Sequence, residues 1–381
     1  MTRRTTFIHT SDFQLGIKRS FLGGEAQARF DDARLTGIKN LGALAEREGA
    51  EFIVVAGDVF EANSLSKKTM LRAQAALNNL PVPVYLLPGN HDPLVADSIL
   101  KRLRGDRIHV IEDDDPVEVA PGVELVGAPY MTKKAHRDLV AQMLGPLDPT
   151  EAIRVAVGHG QVESRTSEPD PTRIDLGLAE EALRSGTIDY LALGDTHSTE
   201  RLGTTGAVWF SGAPEVTAFH EIAGDKGERD SGNALVVTIE KRGTEAAVEV
   251  TPQRIGVWRF HALDAPLNSE AEAEEFLSRL EEYRDKDCTV IKYALTGTVN
   301  LHTKRRLEEK LAEYEEIFAA LFPRDSRTDL VVEPEEEEWQ SLDVQGYAEE
   351  ALHELFEERD EDVEARDALN LLFRLAGRGG K

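Results

Sequence analysis

The sequence predicts an α/β protein with a layered, two-sheet core, followed by a smaller α+β unit and C-terminal helices. Short apolar runs ending in glycine or polar turns recur through the first two thirds of the chain. Amphipathic segments of helical period separate several of them, the alternation that builds sheets covered by helices. Near Thr251 to Trp258 this pattern gives way to a different one.

The first strand is expected at Phe7-Ile8, then FIVVAG, VYLLPGNHD, ELVGAPY, RVAVGHG, YLALGDTH, AVWFSGAPE and NALVVTIE. Helices are expected over 29–48 (RFDDARLTGIKNLGALAERE) and 66–80 (SKKTMLRAQAALNNL), between the early strands. No helix intervenes between Val123 and Tyr130 or among the strands after His197, so part of the sheet system is expected to be mixed or antiparallel. A helix over 269–283, a strand over 288–297 (CTVIKYALTG) and an apolar stripe at Leu307, Leu311, Tyr314, Phe318 and Leu321 define the α+β unit. Beyond the acidic run EPEEEEWQ lie two short helices, one with Ala348, Leu352, Leu355 and Phe356 on a face, the other with Leu369, Leu372, Phe373 and Ala376. The expected boundaries are 1–253, 254–335 and 336–381.

With 381 residues, 41% of them hydrophobic, the chain has ample material for a core and an appendage. No apolar run follows Arg3-Arg4 for more than two residues, and no segment approaches a membrane span, so a soluble cytoplasmic protein is expected. The single cysteine, Cys288, offers neither an internal disulfide nor a CxxC zinc site. A net charge of −26 argues against general surface binding of a polyanion, so any nucleic-acid role must be local or shared. Neither a GxSxG elbow nor a phosphate-binding glycine loop is present.

Chemistry gathers at five strand ends: HTSDFQLG, AGDVFE, PGNHDP, VGHG and LGDTH. Each puts a metal-ligating type just past an apolar run, where open α/β sheets collect their ligands: Asp12 and Gln14, Asp58, Asn90 with His91 and Asp92, His159, and Asp195 with His197. Singly, each reads as a turn or a core histidine; the series carries the signal. His109, His136, His220 and His261 fall outside it and read as ordinary core or surface histidines.

The set resembles that of the calcineurin-like metallophosphoesterases, whose pattern runs D-x-H, G-D, G-N-H-D, a histidine, then G-H-x-H. The longer context, HTSD-x-x-LG, GDVF, LLPGNHDP and YLALG-x-x-H, is similar to the SbcD-type DNA-repair exonucleases over about the first 250 residues. The resemblance implies a layered αββα metallophosphoesterase sandwich with a capping domain, and two divalent ions about 3.5 to 4 Å apart that clamp a phosphodiester. Residue by residue, it implies one ion on Asp12, Gln14, Asp58 and His197 and the other on Asp58, Asn90, His159 and Asp195. His91 is left as the general acid, with Asp92 supporting its imidazole. The implied partners are DNA and an SbcC-like coiled-coil ATPase, with a homodimer as a further expectation and no membrane.

Two positions depart from the family pattern. Asp12-Phe13-Gln14 stands for D-x-H and Gly194-Asp195-Thr196-His197 for G-H-x-H, so an amide and a carboxylate replace two imidazoles. Oxygen donors suit hard cations, and Mn2+ or Mg2+ is the expected pair. A small-molecule phosphodiesterase or phosphatase using the same ions, and a noncatalytic scaffold that binds metal poorly, are the alternatives.

Overall fold

The computed structural model describes residues 2–162, 170–221, 227–332, 347–358, 362, 364–369 and 371. The chain divides into two compact units, Met1–Trp258 and Arg259–Lys381. The first is the αββα sandwich and holds two six-stranded sheets.

Strands β1 (Thr2–Thr10), β2 (Ile53–Val55), β3 (Val84–Leu86) and β4 (Ile108–Val110) run parallel in one sheet, completed by β11 (Asn233–Arg242) and β12 (Glu245–Arg254) antiparallel beyond β1. The other sheet has the order β5 (Val117–Ala120), β6 (Val123–Gly127), β7 (Ile153–His159), β8 (Tyr190–Gly194), β10 (Val208–Phe210), β9 (Glu200–Leu202). Its central strands β6, β7, β8 and β10 are parallel, while β5 and β9 pair antiparallel at the edges. The helix-free stretches at 117–127 and after His197 thus supply antiparallel strands, because a short turn can only reverse the chain.

Period-two alternation distributes the core into layers. Phe7, Phe52, Val54, Ala56 and Leu87 point inward and meet Leu125, Val155, Val157 and Tyr190 of the facing sheet. Their neighbours Ile8, Ile53, Val55 and Leu86 point outward against α1 (Gly24–Glu48) and α2 (Lys67–Asn78), through Ile38, Leu41, Ala73 and Leu77. On the far side Ala156, Leu191 and Leu193 pack on α3 (Leu139–Leu144) and α4 (Leu176–Arg184). Strands covered on both faces read as continuous apolar runs, which is why the sequence displayed them. Helices α2, α3 and α4 begin where side chains cap them, Ser66, Asp138 and Asp175 each accepting the backbone N–H three residues on, whereas α1 starts after Gly23 without a side-chain cap.

In the second unit, β13 (Arg259–Leu267), β14 (Thr289–Val299), β15 (Ala320–Pro323) and β16 (Asp329–Val332) form an all-parallel sheet. It packs on α5 (Glu270–Glu281) and α6 (Leu301–Glu315), with Leu307, Leu311, Tyr314, Phe318 and Leu321 in its core. Helix α7 spans Tyr347–Glu358, with Leu352 buried and Leu355 and Phe356 half-buried. Residues 364–369 are helical, with Leu369 buried; Leu372, Phe373, Ala376 and the run 333–340 lie outside the described residues. No helix among the described residues is long and apolar enough to cross a membrane.

Candidate metal centre

The carboxyl ends of β1, β2, β3, β7 and β8 bring the five signatures together. The loops after β1 and β2 run side by side, with Asp12 N donating to Gly57 O, Gln14 N to Asp58 O and Leu15 N to Val59 O, each at 3.0 Å. The non-glycine residues at positive φ among the described residues are Asp12 (53°), Gln14 (48°), Asp58 (55°) and Asp195 (92°), all of them positions singled out from the sequence. Backbone held in this region is strained, and such strain gathers where side chains must be aimed.

Ligand atoms of Asp12, Asp58 and His159 all lie within 4.8 Å of one another, and the three side chains are buried. His159 Nδ1 donates to the Ala56 carbonyl at 2.8 Å, so the lone pair of the neutral ring sits on Nε2. That nitrogen faces Asn90 Oδ1 at 3.0 Å, Asp58 Oδ2 at 3.5 Å and Asp195 Oδ1 at 3.7 Å. Four acceptors thus converge on one point. A cation satisfies this arrangement; without one, the Asn90 amide must turn to donate to His159 Nε2 and the Asp58 oxygens. The pocket is cut to fit: a Cβ on Gly57 would lie 2.1 Å from His159 Nδ1, and one on Gly89 2.1 Å from Asp58 Oδ1.

The second half of the centre forms around Asp12. His197 Nε2 stands 3.8 Å from Asp12 Oδ1, and Asp195 N donates to the two Asp12 oxygens at 3.3 and 3.2 Å. His197 Nδ1 donates to Glu228 Oε1 at 2.9 Å, while Thr217 N donates to Glu228 Oε2 at 2.8 Å. This carboxylate–histidine pairing leaves Nε2 free to ligate, the usual way a protein orients a metal-binding imidazole. Gln14 donates Nε2 to Asp58 Oδ2 at 3.0 Å, so in this structure its amide steadies the central carboxylate. Asp195 Oδ2 accepts from Gln161 Nε2.

The electrostatics record the crowding of acids and imidazoles. Burial pushes the Asp12 carboxyl up to about 6 against the pull of His197 and His159. Burial works against protonation of His197, but Glu228 and Asp12 outweigh it and raise the imidazole to about 9. His159 is likewise raised well above its ordinary range despite burial, by Asp58, Asp12 and Asp195. Protonated imidazoles and divalent cations are alternative ways of neutralising the same carboxylates.

His91 sits at the rim, partly exposed. Its backbone N–H donates to Asp58 Oδ1 at 3.0 Å, its Nδ1 meets the Glu61 carbonyl at 3.0 Å, and its Nε2 is 4.0 Å from Asp58 Oδ2. The expected Asp92–His91 support is replaced by another arrangement. Asp92 is fully buried and its oxygens accept from Phe60 N at 3.0 Å and Gly89 N at 2.9 Å, so it braces the loop while Glu61 sets the imidazole.

Sequence reasoning passed over Glu228 and Thr217, which orient His197, because a charged loop gives no sign of facing inward. It also passed over Arg34, whose buried guanidinium donates to Phe13 O at 2.8 Å and Val216 O at 2.9 Å, pinning the Asp12 loop to α1. His9, in the first motif, is a buried core residue bonded to Tyr190 Oη at 2.9 Å and Leu193 O at 3.2 Å.

The chain matches the calcineurin-like phosphoesterase family over residues 5–199, which contains every candidate ligand identified from the sequence, Asp12 through His197, but not Thr217 or Glu228. It is 29% identical over 241 residues to an uncharacterized metallophosphoesterase, YhaO, of Bacillus subtilis (strain 168). That alignment covers 58% of this chain, and the chain spans only 56% of the relative's length. A dimetal phosphatase from Danio rerio is similar over 64% of this chain and 98% of its own, at 11% identity and a TM-score of 0.38. The family match takes in more than half of the chain, together with the strand ends that build the acid–histidine cluster, and the chain belongs to the calcineurin-like phosphoesterases.

Proposed function

We propose that the chain is a dinuclear metal-dependent phosphodiesterase that cleaves DNA, a nuclease subunit acting in DNA repair with a coiled-coil ATPase. The observation that carries the metal reading is the convergence of His159 Nε2, Asn90 Oδ1, Asp58 and Asp195 on one point, with Asp12 and His197 alongside. Asp58, Asn90, His159 and Asp195 would hold one ion, and Asp12, Asp58 and His197 the other, with Gln14 steadying Asp58. Two such ions supply Lewis acidity to a phosphodiester and lower the pKa of an attacking water. The oxygen-rich donor set favours Mn2+ or Mg2+.

The chain's own residues do the rest. Glu228 and the Ala56 carbonyl hold His197 and His159 in the tautomers that present Nε2. His91, with Nδ1 engaged by Glu61, can carry a proton on Nε2 and deliver it to the departing oxygen. The DNA assignment is supported by the SbcD-like run of motifs and by the presence of a second unit after Trp258. With a net charge of −26, the chain would draw on a basic track supplied by the ATPase, docked at the C-terminal helices. The same acidity favours a small-molecule phosphodiesterase as the second reading.

A Mn2+-dependent assay on single- and double-stranded DNA, run beside bis(p-nitrophenyl) phosphate, tests the proposal. DNA cleavage lost on chelation and regained with Mn2+ is the expected result; hydrolysis of the small ester with DNA untouched would select the second reading.

A further inference from the structure

Beside the metal centre lies a cleft of about 400 Å³, bounded by the loop after β4, the segment after β6 and the approach to α3. It adjoins the centre through one residue. Tyr130 lines the cleft and sets its ring edge-on to His159, with centroids 5.8 Å apart. The residue is fixed by its backbone: Tyr130 N donates to Pro88 O at 3.1 Å and Leu94 N to Tyr130 O at 2.7 Å, tying it to the PGNHDP loop. Burial, with Asp195 and Asp58 nearby, pushes the phenol up to about 12, so it stays a hydrogen-bond donor.

The walls differ in chemistry. One is apolar, built from Pro129, Tyr130 and Met131, the last 53% exposed. A second is cationic: Lys134 and Arg137 are exposed, and among the described residues neither side chain enters an ion pair or hydrogen bond. A third is acidic, with Glu112, Asp113 and Asp114. In a chain this acidic, unpaired cations beside an apolar shelf next to a phosphoester site match one kind of occupant: a flat heterocycle bearing amino groups and joined to phosphates. Aromatic and apolar side chains take base faces, carboxylates accept from exocyclic amines, and Lys and Arg take the backbone. A volume of this size suits one nucleoside.

We propose that this cleft seats the nucleotide next to the scissile phosphate, with its base against Tyr130 and Met131, its amino edge toward Asp113 and Asp114, and its adjoining phosphate on Lys134 and Arg137. The inference rests on the reading of the chain as a DNA phosphodiesterase and specifies where the strand runs.

The test compares the full-length protein with a Lys134→Ala/Arg137→Ala double variant and with Met131→Ala, using a short fluorescein-labelled oligodeoxycytidylate. Binding is read by anisotropy across a salt series with Ca2+ present, and hydrolysis is read with Mn2+ on both the oligonucleotide and bis(p-nitrophenyl) phosphate. The double variant should bind about 10-fold more weakly and lose about one unit of salt slope, since phosphate contacts set that slope. Its kcat/KM should fall at least about 10-fold more on the oligonucleotide than on the small ester. Met131→Ala should weaken binding with the salt slope kept, because apolar packing against a base carries no counterion release. If wild type binds and cuts DNA while the variants match it in affinity and slope, the strand takes another path and the cleft assignment falls alone. If wild type hydrolyses the small ester but neither binds nor cuts the oligonucleotide, the DNA reading itself fails and the cleft assignment with it.

Discussion

Replacing Glu228 by Gln keeps the shape of the group that orients His197 and removes one of its two acceptor oxygens. In the native structure one oxygen takes the His197 Nδ1 proton at 2.9 Å and the other the Thr217 backbone N–H at 2.8 Å. The carboxylate is only 5% exposed, so solvent cannot replace either bond. Burial pushes its pKa up, but the bonds from His197 and Thr217 outweigh that and keep it ionised. The amide keeps an acceptor at one of the two oxygen positions only and puts a donating NH2 at the other. If its oxygen stays with Thr217, its NH2 meets His197 Nδ1, which must give up its proton and become the acceptor. The proton then moves to Nε2, the atom 3.8 Å from Asp12 Oδ1, and the lone pair needed for a metal is lost. If its oxygen stays with His197, the buried Thr217 N–H is orphaned, at about 1–3 kcal/mol of stability. Loss of such a partner weakens metal binding by about 10- to 100-fold, or about 1.4–2.7 kcal/mol. Calorimetric titration with Mn2+ should show one of two sites weakened by that factor, and 15N NMR should place the His197 proton on Nε2. Unchanged Mn2+ affinity with the proton still on Nδ1 and no loss of stability in urea melts would refute the orienting role.

Three further outcomes follow from the same geometry. His91→Ala should lower turnover by about 100- to 10,000-fold, the range of a lost general acid, with both metals retained; loss of an ion on titration would make His91 a ligand instead. Gln14→His should tighten the ion on the Asp12 and His197 side and admit Zn2+ alongside Mn2+, since imidazole suits softer metals; identical occupancy and preference in both proteins would show that a side chain at position 14 does not reach the ion. His9 concerns stability. Burial, only partly offset by the Leu193 carbonyl, lowers its folded pKa from 6.5 to about 3, so only the unfolded chain takes the proton between those values. Its contribution is complete above pH 6.5 and declines on acidification at about 1.4 kcal/mol per pH unit. His9→Gln should therefore lose less stability than wild type between pH 6.5 and 4.5 in urea melts; parallel stability curves would contradict a neutral buried His9.

The buried strands of both sheets and the candidate ligands were legible in the sequence because both are local. A strand buried on two faces must be apolar at consecutive positions, and a ligand at a strand end must follow within a few residues, so Asp12, Asp58, Asn90, His159 and His197 could be found by scanning along the chain. Strand β12 escaped because it lies at a sheet edge and is mostly exposed, and an exposed strand has no apolar run to betray it. What only the tertiary structure decided are relations between segments far apart. Glu228 reaches His197 across 31 residues of sequence, and Arg34 reaches Val216 across 182. Asp92 illustrates the limit: adjacency to His91 suggested a partnership, but the turn aims its carboxylate at the N–H groups of Phe60 and Gly89. Composition and spacing state which groups are available at a strand end. Which way each points depends on backbone dihedrals, such as the positive φ of Asp12, Asp58 and Asp195, that only the packing of two sheets against each other can enforce.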